Sequence, residues 1–578
     1  MAYSKEKSES YSLLGGINNK ASPYVNDIAE FRDITNLNFA TPGALTKRPG
    51  TSLYLGATIS GRISSITEFE RLNGSSYVIA SANTNIYKVT GSFTSFKTGL
   101  LNNGIFDFVT FVDRLFCSNG QDFFKYDGNA TSSYSLPDGA AGWGVTAIIG
   151  GGLSGNYIAS FGYLNDRGYY GPCATHISIA LNGATFGTIG YYGLTTPAGF
   201  GISAIAFYRT SAGGSELTGT TTIAAGVTSF ASDIGWPLTS RICEENLYFT
   251  LAPKYLEIFN NQLFLSGFSA APSTVFWSQI GEPEGVDPSF NAEFRTNDGD
   301  RVTGMKSYAG ALVVSKERSF HRITGDNPSN FFIQEVSDQY GCLSNRAMVS
   351  FEDRLWFLDS KGIVEYDGAG VKIVSNKVED LFKKMNIPAA RENAVALHAR
   401  DYNEVWFAIP CNGATFNNCV VVYDYLSSAW TKYEGVNPSS LGIAQGSTPN
   451  KTPFVGGYSG NVSFYSATFM YDMGSAMTCM AQSAFLAPTG ETTEKQYRRF
   501  YLNLESVVGV TQPISVNFRT NYGTTIALSR TMYQAPFQSR VDFGLPAKAI
   551  NAEIIHASAS LSLKVFGYSF ESRYQRAT

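Results

Sequence analysis

The sequence predicts an all-β chain: a β-propeller-like repeat of about 6–7 small blades, an inserted fibronectin III or immunoglobulin-like sandwich, and a C-terminal β-sandwich. Three observations lead there. The stretch VSFEDRLWFLDSKGIVEYDG, from Val349 to Gly368, aligns without a gap with VTFVDRLFCSNGQDFFKYDG, from Val109 to Gly128, sharing Val, Phe, Asp-Arg-Leu and Tyr-Asp-Gly. Partial copies begin at Tyr77, Phe259, Tyr308, Asn403 and Phe454, commonly about 40 residues apart, and no helical crossover separates them. The chain also carries 57 Gly, 33 Tyr and 41 Phe, residues suited to tight turns and half-buried pleated surfaces.

Each unit reads as two short strands and two turns. In the 349–368 copy, Phe351, Asp353, Leu355 and Phe357 share one face, and Glu352, Arg354, Trp356 and Leu358 the other. Asp359 to Gly362 supplies one turn and Asp367-Gly368 the next. The repeat divides the chain into an N-terminal segment (1–55), a first propeller part (56–138), an insert (139–249), a second propeller part (250–466) and a terminal sandwich (467–578).

A length of 578 residues exceeds a single core. The net charge of −4 argues against a nucleic-acid grip built on a basic face, because such grips rest on counterion release. Seven scattered Cys without a CxxC pair read as buried, reduced thiols, with Cys411 and Cys419 near neighbours across a hairpin. The polar start, MAYSKEKSESYSLLGG, lacks the apolar core of a signal peptide, and no apolar run reaches the roughly 20 residues that span a bilayer. These features lead us to expect a protein with no membrane segment, not exported on a signal of its own.

In the N-terminal segment, Ile28, Phe31 and Ile34 are spaced to line a short helix. In the insert, alternating aromatics suit a sandwich of about 100 residues. Its Tyr169-Tyr170 and Tyr191-Tyr192 mark either an exposed contact surface or the core. One clear helix is expected at SNKVEDLFKKMNIP, where Val378, Leu381, Phe382 and Met385 form an apolar stripe, Ser375 or Asn376 caps, and Pro388 stops the helix. In the last block Phe500, Leu502 and Leu504 alternate, as do Ile514, Val516 and Phe518, and Leu561, Leu563 and Val565. Tyr497-Arg498-Arg499 reads as either a basic patch or a solvated strand start.

No catalytic, cofactor or metal site is predicted. The four His stand apart, and neither an HExxH, a GxSxG elbow nor a phosphate-binding GK[ST] loop occurs. Asp298-Gly-Asp300 resembles a calcium loop only superficially, since Val302 fills the next ligand position. The repeated Asp113-Arg114 and Asp353-Arg354 read as strand-end ion pairs or turn bonds, because catalysis seldom needs its residues copied from blade to blade.

Several motifs occur in the order found in one family. Gly15-Gly16 near the start is followed by Lys47-Arg48-Pro49-Gly50, then Trp277-Ser-Gln-Ile-Gly-Glu-Pro-Glu284 and Asn297-Asp-Gly-Asp300. Gly341-Cys-Leu-Ser344 and Phe566-Gly-Tyr-Ser-Phe-Glu571 complete the series. In this the chain resembles the tail tube (nozzle, or hub) proteins of short-tailed bacteriophages, across most of its length. The resemblance implies a non-enzymatic virion protein assembled in the host bacterial cytoplasm and located in the virion tail. It would act as a homo-oligomer, a hexameric ring, below a head-to-tail adaptor or portal. Such a ring would anchor tail fibres or spikes and pass genomic DNA transiently, without specific binding. A DNA exit channel should not grip phosphate, so its wall is expected to be neutral or acidic. The first candidates for the channel lining are Glu282, Glu284, Asp287, Glu293, Asp298 and Asp300, six carboxylates set against Arg295; the other reading of this stretch is a solvated outer loop. The alternative function is a propeller-type tail protein that binds or cleaves glycans.

Overall fold

The computed structural model describes residues 7–574 apart from 12, 14, 25–26, 102–103, 234–235, 246, 297, 446–449, 488–492, 506–512 and 534–538. Among the described residues seven four-stranded antiparallel blades follow one another as a β-propeller: five are separate sheets, and the last two are four-stranded stretches of one larger sheet. Their innermost strands are Ile63–Glu70, Asp107–Phe111, Tyr255–Phe259, Val302–Tyr308, Met348–Phe351, Val395–Ala399 and Ser440–Gln445. Each packs beside the next, and the seventh returns to the first, so the ring is closed. The repeat copies fall one to a blade.

The turn chemistry that sets the blades is visible at the inner hairpins. Val112 and Asp113 both have positive φ between Phe111 and Arg114, as do Asn260 and Asn261 between Phe259 and Gln262. Two positive φ values give a tight hairpin whose twist matches the flanking strands. The 349–368 unit holds three strands where two were expected, because Glu352-Asp353 is a two-residue turn, with Glu352 alone at positive φ, and splits the first strand. Both faces of Arg354–Asp359 are buried, including Leu355, Trp356, Phe357 and Leu358, since a blade is covered on either side by its neighbours.

Closure of the ring comes from the N-terminal segment, which is no unit of its own. Gly50–Thr58 pairs antiparallel with Asn461–Ser466 and supplies the outer strand of blade 7. Phe31–Thr35 is a strand between Ala429–Tyr433 of blade 6 and Ser475–Ser483 of the terminal sandwich, where a short helix was expected. Its Phe31 and Ile34 are buried, while Ile28 is exposed. Lys7–Tyr11 and Leu45–Lys47 flank the last strand, Lys564–Tyr574. The terminal sandwich buries the alternating sets Phe500/Leu502/Leu504, Ile514/Val516/Phe518 and Leu563/Val565 in one core that runs on into blades 5 and 6.

The insert is a two-sheet sandwich of strands from Gly144 to Asp233, joining blades 2 and 3. It holds a correction to the cysteine reading: Cys173 and Cys243 form a disulfide, with Cα atoms 6.0 Å apart. The pairing was invisible because the partners are separated by 70 residues and meet only where Cys173 N–H bonds the carbonyl of Glu244. The other five Cys are free and buried. The expected single helix is two, Glu379–Lys383 and Ile387–Asn393; Pro388 lies in the first turn of the second rather than ending the first. Ser375 makes no cap bond there, whereas Val378, Phe382 and Met385 do pack into the core.

Blade 6 contains a carboxyl with a measurable pH signature. Glu404, 1% exposed, accepts hydrogen bonds from Tyr433 Oη and Trp406 Nε1, both at 2.7 Å. Burial pushes its pKa from 4.5 up to about 7. The unfolded chain therefore releases this proton first, and the contribution to stability falls as pH rises between those values, by about 3 kcal/mol in all. Relative to wild type, Glu404→Gln should gain stability from pH 4.5 to 7.5 in urea titrations. A difference that stays constant with pH would contradict the assignment.

Candidate functional site

The six carboxylates proposed for a channel wall do not form one surface. Glu284 is buried at 3% exposure and corrects the expectation: it ion-pairs with Lys125 of blade 2 and accepts from Asn165 Nδ2 of the insert at 2.7 Å. It faces the interior because the connection after Thr274–Trp277 turns inward, with Pro283 and Val286 buried beside it. Glu282 is half-buried, lies 3.4 Å from Arg241, and is raised in pKa by burial. Asp287 accepts from the Ser289 amide at 2.7 Å, and Glu293 is exposed on the outer strand Asn291–Glu293. Asp298 pairs with Lys316 at 2.6 Å and accepts from the Asp300 amide, which makes the Asp-Gly-Asp stretch a turn. Asp300 accepts from the Arg301 and Arg318 amides. These groups sit on the outer half of blade 3 and its exit to blade 4.

A second constellation, missed in the sequence, occupies one mouth of the propeller axis. Five of the connections that enter innermost strands carry a cation: Arg62, Lys254, Arg301, Arg346 and Arg391. Around a closed ring of like-ordered blades, those strand starts gather at one end. All but Arg301 line a single cavity of about 350 Å³ there, together with Asp107 and Glu392. Arg346 is spent on structure, donating to the carbonyls of Ser64, Ser439 and Glu392, each at 3.0 Å. Burial lowers its pKa to about 10. Asp107 accepts from the Leu256 amide at 2.9 Å and from Asn345 Nδ2 at 3.0 Å, and burial raises it to about 6. Each cation stands alone in the sequence, so only its place just ahead of a repeat strand signals the cluster.

The remaining candidates resolve simply. Asp113 accepts from Arg71 of blade 1 at 3.1 Å and Arg167 of the insert at 2.8 Å, while Arg114 pairs with Asp166. The Asp113-Arg114 copy thus joins neighbouring units, whereas the Asp353-Arg354 copy turns back on its own blade. Arg354 reaches Glu365 at 3.6 Å. Tyr191 belongs to the insert core, whereas Tyr192 is 51% exposed. Tyr497 is buried and Arg499 pairs with Glu571 and Asp542, so carboxylates neutralise that patch. Among the described residues, no cluster of three or more His, Cys, Asp or Glu is placed to hold a metal ion, and no helix is long and apolar enough to cross a membrane.

Strand order and ring closure define the class: an all-β chain built on a seven-bladed β-propeller. No family model matches the chain, and no curated protein does. Solved structures similar to it include BBS1N in complex with ARL6DN, at 9% identity over 73% of this chain and 98% of that one, TM-score 0.27. YCF48 bound to D1 peptide matches at 11% over 72% and 99%, TM-score 0.25. The Pan2 WD40 domain of Neurospora crassa matches at 6% over 62% and 87%, TM-score 0.25.

Proposed function

We propose that the chain is a structural subunit of the tail nozzle of a short-tailed bacteriophage, six copies forming a ring around the DNA exit path. The observation that carries this reading is the ordered series of motifs from Gly15-Gly16 to Phe566–Glu571. The structural setting of two of them supports it. Lys47-Arg48-Pro49-Gly50 lies where propeller and terminal sandwich are tied together, and Trp277–Glu284 lies where blades 2 and 3 meet the insert. Motifs at junctions suit a protein whose task is to hold several modules rigidly in an assembly. A non-enzymatic role fits the axial carboxylate Asp107, whose Oδ2 accepts from the Leu256 amide and Asn345 Nδ2 and whose Oδ1 accepts from the Phe108 amide. The portal or adaptor and the fibres or spikes would then bind the faces that the ring presents above and outside.

Electron micrographs of the purified full-length chain at high concentration test the proposal. Closed rings with an axial opening wide enough for duplex DNA are expected. Separate single-propeller particles that cleave a surface glycan would overturn it in favour of a glycan-directed tail protein.

A further inference from the structure

We propose that the axial mouth of the propeller binds a small oxyanion, the phosphoryl or carboxylate group of a compact ligand. The cavity of about 350 Å³ is lined by four cations, Arg62, Lys254, Arg346 and Arg391, against two carboxylates, Asp107 and Glu392. Its size lies at the lower end of small-molecule sites. Two of the cations are committed: Arg346 to backbone carbonyls, and Arg391 to Glu317. The other two are left over. Arg62 has Nε and Nη2 buried with no hydrogen-bond acceptor, its guanidinium resting 5.0 Å from the centre of the Tyr458 ring. Buried donors normally find a partner, and one that lacks it marks an unfilled role. Lys254 is half-buried, has no carboxylate at ion-pair distance among the described residues, and lies near the ring of Tyr255.

The electrostatics point the same way. Burial lowers the pKa of both Arg62 and Lys254, and the neighbouring charge of Arg301 lowers Lys254 further. Like charges crowded into a recess are relieved by an incoming anion, and charge-assisted bonds to oxygen are the strongest this donor set can make. The nearby carboxylate Asp107 cannot serve, since Leu256 and Asn345 hold it. A planar guanidinium edge beside a compact ammonium fits a tetrahedral or planar oxyanion rather than a neutral sugar.

The test is calorimetric titration of the full-length chain at low ionic strength with inorganic phosphate in one arm and citrate in the other. One saturable site per chain is expected, and the tighter arm identifies the preferred group. Arg62→Gln and Lys254→Met should each weaken binding about tenfold or more, the loss of one charge-assisted contact. Both variants should melt without anion at least as high as wild type, because a buried like charge has gone. Absence of saturable binding to either anion, affinity equal to that for chloride, or undiminished binding by two folded variants would overturn the proposal. If Arg62→Gln fails to fold, Lys254→Met alone decides.

Discussion

Replacing Arg48 with alanine is expected to destabilise the chain by about 3–5 kcal/mol, the effect of stranding one partner of a buried ion pair. Arg48 is fully buried, and its guanidinium forks onto Asp472 at 2.6 and 3.1 Å. It also donates to Asn36 Oδ1 and to the carbonyl of Pro49, both at 2.9 Å. Those partners lie on the N-terminal strands and on the link from blade 7 to the terminal sandwich, so one side chain ties three parts of the chain. Its neighbours are equally constrained. Lys47 donates to the carbonyls of Ser558 and Leu561, and a Cβ on Gly50 would meet the carbonyl oxygen of Tyr471 at 2.0 Å. Arg48→Lys keeps the charge but not the fork and should fall between wild type and alanine. Urea unfolding curves measure both losses. A wild-type midpoint for Arg48→Ala would mean that the junction contributes little to stability.

Truncating Lys125 to alanine should cost a similar amount, about 3–5 kcal/mol, for a related reason. Lys125 and Glu284 are 1% and 2% exposed at the side chain, and Asn165 completes the group. Removal of the ammonium leaves a carboxylate with one amide donor in a dry interior where blade 2, blade 3 and the insert converge. The double replacement Lys125→Met with Glu284→Leu removes both charges and should recover most of the loss. Thermal melts of the four proteins complete the cycle. Should the double variant prove as unstable as the single one, the cost lies in packing and not in the unpaired charge.

Those two sites mark the boundary of what the sequence discloses. The blades were legible because each is a local meander: strand, turn and strand follow within about 20 residues, and the Asp-Arg and Tyr-Asp-Gly signals are turn chemistry. The terminal sandwich was legible because its strands alternate, Phe500 and Leu502 inward and Tyr501 outward. Long-range pairing was not. Nothing local tells Gly50–Thr58 to close a blade with Asn461–Ser466, or Cys173 to find Cys243. For Phe31–Thr35 the helical spacing of Ile28, Phe31 and Ile34 lost to strand pairing on both edges. Glu284 looked like a surface charge in an acidic run, yet a Lys distant in sequence takes it inside. The axial cations escaped notice for the same reason, since ring closure alone brings Arg62 and Lys254 to one cavity.

The central claim is that this propeller works as one subunit of a ring. Its most direct test is the native mass of the purified full-length chain across a range of concentrations up to tens of micromolar. A discrete species of six times the chain mass is predicted to grow with concentration. A single-chain mass at every concentration would contradict the account.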